Sequence, residues 1–101
     1  MHYYAIYSTD NPDNAINKRR AVRPAHLERL KQLQQEDRLL TAGPLFQQDG
    51  DTPFEQGIHG SLIIAQFESL EDAKIWASLD PYVTAGIYTN TYIYPYETAD
   101  L

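Results

Sequence analysis

The sequence predicts an α+β domain of the split βαβ type, and three observations predict it. Short aromatic or β-branched runs alternate with helix-period segments in the order β-α-β-β-α-β. Two helical segments can cover only one face of the resulting sheet. Strands one and three nevertheless carry apolar side chains on both faces, so the second face needs a cover that this chain has no spare helix to supply.

His2 to Ser8 is short, aromatic and β-branched and reads as strand one, with Tyr3, Ala5 and Tyr7 on one face and Tyr4 and Ile6 on the other. Thr9 to Asn14 is rich in Asp, Asn and Pro and reads as a loop. Ala15 to Asp37 is helical in pattern but interrupted by Pro24, which predicts a short helical turn followed by a main helix from Pro24 to Asp37. Leu27, Leu30 and Leu33 mark its buried stripe, and Glu28, Arg29, Lys31, Gln32, Gln35 and Glu36 its wet side. Leu39 to Phe46 reads as strand two. Gly43-Pro44 within it points to an edge strand or a bulge, because proline cannot donate to a ladder. Gln47 to His59 is polar, carries Asp49-Gly50, and reads as a long hairpin loop and the most mobile internal segment.

Ser61 to Phe67 is strand three, apolar on both faces. Ser69 to Leu79 is the second helix, with Ser69 as N-cap, Asp72 three residues on, and a core stripe of Leu70, Ala73, Trp76 and Ala77. Asp80-Pro81 ends it. Tyr88 to Tyr94 is strand four, closed by Pro95. The order is the ferredoxin-like one, an antiparallel sheet with two helices on one face. A second copy packed sheet to sheet is the economical cover for the other face, which predicts a homodimer or a higher assembly built from it.

At 101 residues the chain is expected to be one domain over 1–101, and its 43% hydrophobic and 22% charged content is that of a globular protein. A net charge of −6 argues against a nucleic-acid partner, since such affinity comes from neutralising phosphates. Lys18, Arg19, Arg20 and Arg23 form a local basic cluster, of which Lys18 and Arg19 read as a solvated helix face. The absence of cysteine removes disulfides, thiolate nucleophiles and zinc-thiolate sites, and fits a reducing compartment. Met1-His2-Tyr3-Tyr4 enters a strand pattern with no signal-like core. The longest aliphatic run, Leu62 to Ala65, is far below the roughly 20 residues of a membrane span. These features predict a cytoplasmic protein with no nucleic-acid and no membrane partner.

His2, His26 and His59 lack metal-ligand spacing, and no P-loop, nucleophile elbow or dinucleotide fingerprint is present, so no cofactor is expected. His26 borders the buried stripe of the main helix, and histidine is the side chain best suited to proton transfer near neutrality. Spacing by itself favours a partly buried histidine bonded to a backbone carbonyl. For Asp80, before Pro81, spacing likewise favours an N-cap with proline at N1. Helices lying side by side on one face can bring the two together, where a carboxylate fixes the tautomer of an imidazole.

Three blocks carry a resemblance: Arg23-Pro24-Ala25-His26-Leu27, Leu40-Thr41-Ala42-Gly43-Pro44, and Asp80-Pro81-Tyr82-Val83-Thr84-Ala85-Gly86-Ile87. From Tyr3 to about Tyr96 the chain resembles the YciI-like (YCII-related) family, whose members resemble dimeric α/β-barrel proteins. The resemblance implies a His–Asp pair in a pocket, which maps onto His26 and Asp80, with Arg23 and Ser61 at further positions near it. A chlorinated-aromatic lyase belongs to the wider family. The expected function is then a small-molecule lyase or isomerase, with His26 and Asp80 as the acid/base pair and Arg20 or Arg23 holding an anionic group. The competing reading is a non-catalytic module that binds a small ligand, or serves as an interaction domain, on the same scaffold.

Overall fold

The computed structural model describes residues 1–13, 16–51 and 57–101. Strands β1 (His2–Asp10), β2 (Leu39–Phe46), β3 (Ile58–Phe67) and β4 (Tyr88–Tyr96) form one antiparallel sheet in the order β2-β3-β1-β4. Helices α1 (Ile16–Gln35), α2 (Leu70–Ser78) and the short α3 (Pro81–Thr84) complete the element order. This is the α+β, ferredoxin-like arrangement that the period pattern predicts. No described helix is long and apolar enough to cross a membrane.

The register fixes the two faces. Tyr4 and Ile6 of β1 are buried beside Ile63, Ala65 and Phe67 of β3, and Leu30, Leu33, Ala73 and Ala77 from α1 and α2 close over them. Phe67 packs between Tyr4 and Trp76, at centroid distances of 6.4 and 5.5 Å. Tyr3, Ala5 and Tyr7 point the other way. Their cross-strand partners are Gln66, Ile64 and Leu62 on β3 and Tyr96, Tyr94 and Tyr92 on β4. No described helix covers this aromatic face; Tyr94 stays 65% exposed.

Several boundaries differ from the sequence expectation. Pro24 lies inside one continuous helix, not at the start of a second. Proline removes a bond to the carbonyl four residues back, here Arg20. Both Pro24 and Arg20 are exposed, so water can satisfy that carbonyl. The helix ends in a Schellman motif: Arg38 N–H bonds Leu33 O (2.9 Å), Asp37 N–H bonds Gln34 O (3.1 Å), and Asp37 has φ 57°. β1 extends through Asp10, and β4 runs past Pro95, which an edge strand tolerates. β2 is likewise an edge strand, with register shifts at both ends around Gly43-Pro44.

β3 begins at Ile58, so His59 belongs to the strand and not to the hairpin loop. Residues 14–15 and 52–56 lie outside the described residues, and with them the helix start at Ala15 and the centre of the loop expected to be mobile. Arg29 is not on the wet side: its guanidinium lies 4.2 Å from the Trp76 ring and donates to Trp76 O at 2.7 Å, tying α1 to α2.

Candidate functional site

The site forms where Asp10 at the end of β1, Ser61 near the start of β3 and Tyr88 at the start of β4 meet the first half of α1 and all of α3. His26 reaches it because residues 26, 30 and 33 share one face of α1, and that face turns towards the sheet. Asp80 reaches it because Pro81 starts α3 directly after α2 ends.

His26 and Asp80 are both buried and form a pair, with Nδ1 at 3.0 Å from each carboxylate oxygen. Asp80 Oδ1 also accepts the Tyr82 N–H at 2.8 Å. Sequence spacing left Asp80 as a helix cap or a histidine partner, and the structure has it as both. The cap holds the carboxylate in place before it meets the imidazole. With Nδ1–H donating to Asp80, Nε2 is the ring nitrogen left for a ligand.

Arg19 corrects the expectation of a solvated face: it is 7% exposed. Its Nε lies 3.1 Å from Asp10 Oδ2, and a terminal nitrogen donates to Ser61 Oγ at 2.8 Å and to Gly60 O at 3.4 Å. The Asp10 contact is an ion pair without hydrogen-bond alignment, and Asp10 Oδ1 is buried with no partner among the described residues. Lys18 is exposed, as expected. Ser61 Oγ also accepts from Tyr88 Oη at 2.7 Å, so both its lone pairs are engaged and its own O–H is left to donate elsewhere.

Arg19, Asp10, Tyr82 and Tyr88 are the members that sequence reasoning missed. Arg19 carried a readable signal, because it lies two turns before His26 on the same stripe as Leu33. Asp10 and Tyr88 carried none: they meet only because β1 and β4 pair there, across a register shift.

The group walls a cavity of about 410 Å³. Its lining combines the polar residues His26, Ser61, Arg19, Arg20 and Arg23 with the apolar residues Leu27, Leu30, Ala42, Pro44 and Ile63, and includes Tyr82. Arg20 and Arg23 are exposed and sit at the mouth. Thus three arginines of a chain with net charge −6 converge on one concavity, an arrangement that attracts anions locally. Among the described residues no set of His, Asp or Glu is arranged to hold a metal.

Burial sets the protonation of the inner groups. It pushes the Asp10 carboxyl above its ordinary value, against the opposing pull of Arg19 and His59. It pushes the Tyr88 phenol up as well, opposed by the Ser61 hydrogen bond, and the Tyr82 phenol likewise, opposed by Arg19 and Arg23. Both tyrosines therefore stay protonated at neutral pH.

With this geometry in place, comparison with known proteins gives three findings. The YCII-related domain family matches residues 2–97. A protein of Haemophilus influenzae is 54% identical over 95 residues, covering 94% of this chain and 96% of that protein. Protein YciI of Escherichia coli is 50% identical over 94 residues, covering 93% and 95%. Among solved structures, the 5-chloro-2-hydroxyhydroquinone dehydrochlorinase of Burkholderia phenoliruptrix, in complex with 2,5-dihydroxybenzoquinone, superposes with a TM-score of 0.82. It is 24% identical and covers 96% of this chain and 95% of its own, a likeness of fold.

Proposed function

The chain belongs to the YCII-related domain family, and we propose that it is a small-molecule lyase or isomerase in which His26 and Asp80 are the acid/base pair. One observation carries this reading. A buried imidazole with Nδ1 committed to a capped carboxylate lines a cavity of about 410 Å³ whose other polar groups are donors. Asp80 fixes the tautomer, so Nε2 takes a proton from a bound molecule. In an isomerisation it returns that proton at another atom; in an elimination it passes the proton to water while a leaving group such as chloride departs with its bonding electron pair. Arg19 and the Ser61 hydroxyl face the oxygen on which the electron pair collects, and Arg20 and Arg23 attract an anionic ligand to the mouth. The dehydrochlorinase of the same fold carries a hydroxylated ring, which makes 2,5-dihydroxybenzoquinone and chlorinated hydroxyhydroquinones the trial ligands.

We take the working unit to be a homodimer joined through the open face of the sheet, because Tyr3, Tyr7, Tyr92, Tyr94 and Leu62 leave that face aromatic and aliphatic with no described helix over it.

The functional test is direct. Binding is followed by the visible absorbance of the quinone, and turnover of the chlorinated ring by chloride release. His26→Gln and Asp80→Asn are expected to lower turnover by about 10²–10⁴-fold while the fold persists. Asp80→Asn keeps a competent cap, so its loss reports the lost carboxylate. Turnover by His26→Gln at the wild-type rate overturns acid/base catalysis. Unchanged ligand binding together with a stability loss of roughly 2–3 kcal/mol makes the pair structural.

A further inference from the structure

Tyr82 touches three members of the site at once. It is the second residue of α3 and is 1% exposed. Its backbone N–H donates to Asp80 Oδ1 at 2.8 Å. Its ring stacks on His26, with centroids 4.1 Å apart and planes within 19°. The Arg19 guanidinium carbon lies 4.5 Å from the same ring centroid. Arg19 and His26 are separated by two turns of α1, roughly 10.5 Å along the axis at 1.5 Å per residue. They cannot crowd one side of a single ring at these distances, so the ring stands between them.

We propose that Tyr82 is the positioning residue of the site: its clamped ring sets the plane of the His26 imidazole and its spacing from the Arg19 guanidinium. This rests on the function proposed above. Hydrogen bonding to Asp80 locates Nδ1 but leaves the imidazole free to swing about that contact, because Nδ1 is equidistant from both carboxylate oxygens. Stacking removes the swing. Arg19 gains a flat partner in the same way, so the direction of Nε2 and the direction of the guanidinium fork become linked through one side chain. Tyr88 meets Tyr82 edge-on at 5.3 Å and keeps the ring from turning out of the clamp. The contacts that form the clamp are made by the ring and the backbone N–H of Tyr82.

The test uses the full chain with Tyr82→Phe, Tyr82→Leu and, to retain more side-chain length should leucine fail to fold, Tyr82→Met. Imidazole signals are read by ¹H–¹⁵N NMR, with the amide signals of β1 and β3 as the check on folding. Wild type and Tyr82→Phe are expected to show the same ring-shifted His26 protons and one tautomer. Tyr82→Leu and Tyr82→Met should keep the tautomer that Asp80 fixes, lose the shift together with the ring that causes it, and show broadened His26 ring signals as the imidazole swings about its Nδ1 contact. In parallel, 2,5-dihydroxybenzoquinone affinity should be lower in the non-aromatic variants than in Tyr82→Phe by about tenfold or more. Non-aromatic variants whose His26 ring signals stay as sharp as in wild type overturn the proposal. So does a Tyr82→Phe variant as impaired as Tyr82→Leu, which would assign the role to the hydroxyl. If wild type itself fails to bind the quinone, the functional reading is at fault, and the imidazole spectra alone decide the clamp.

Discussion

At Asp10 a carboxylate must stay charged while almost enclosed, and the two demands oppose each other. Burial raises its folded pKa above the ordinary 3.8, with Arg19 and His59 pulling the other way. In the window between the ordinary and the raised value the folded state binds more protons than the unfolded state, so stability falls as pH rises. Asp10→Asn removes this titration. Its unfolding free energy relative to wild type should increase as pH climbs through that window and then level off, measured by urea melts from about pH 3 to 7. A wild type that instead gains on the variant with rising pH would show that the Arg19 ion pair outweighs burial. Tyr82 and Tyr88 make a companion case. Their raised phenols imply that the folded state holds protons which the unfolded chain releases, so stability should drop as pH rises above the usual tyrosine value of 10.0. Absorbance titration should find two late phenols among the eight tyrosines. None of this was legible in the sequence, where Asp10 sat in a presumed loop. His26 and Asp80 were legible both as residues and, through the family resemblance, as a pair; the Tyr82 ring stacked on His26 was not.

Elements owe their limits to a few local contacts. Gly60 shows this most sharply: a Cβ built there would lie 1.9 Å from Ser8 O, so the β1–β3 approach requires glycine. Gly60→Ala should destabilise by roughly 1–3 kcal/mol and also weaken the site, because Gly60 O accepts from Arg19. Ser69→Ala offers the contrast. It removes the cap that accepts Asp72 N–H at 3.1 Å, and should cost about 1 kcal/mol with no effect on ligand binding. Equal effects of the two on the site would refute the assignment of Gly60 to it. At this scale the sequence read well wherever the signal was local. Ser69 as cap, Pro81 at the start of α3 and the range of β2 all appear as the residues predict. It misread Pro24, because a proline inside a helix is disfavoured in isolation and tolerated when the deprived carbonyl faces water.

Across the whole molecule the sheet has one face packed by helices and one without a described cover. Sedimentation at micromolar concentration should give twice the 11.6 kDa chain mass. Tyr94→Lys combined with Ile64→Glu should shift the equilibrium towards monomer, since both residues lie on the open face opposite Ala5. Ile75 and Leu79 form a different exposed apolar pair on the outer side of α2, and Ile75→Ser should leave the dimer intact. Dissociation by Ile75→Ser and not by the sheet variants would move the interface to the helical layer. The sheet topology itself followed from the order of periods, because a ferredoxin-like order leaves few ways to connect short strands and two crossing helices.

What the residues determined alone is therefore what depends on near neighbours along the chain: the order of strands and helices, the caps, the apolar stripes, and the surplus of apolar surface on β1 and β3. A side chain's face follows from period, and a cap from two or three adjacent residues. What only the tertiary structure decided is which distant residues meet around Arg19. Asp10, Arg19, Ser61, Tyr82 and Tyr88 are joined by contacts spanning up to most of the chain, and those contacts exist only once β1 has paired with both β3 and β4. Arg19 in particular is an ordinary basic residue in a basic run until Asp10 and Ser61 enclose it. Desolvation and pairing, not residue type, turn it from a surface charge into a buried, fixed cation.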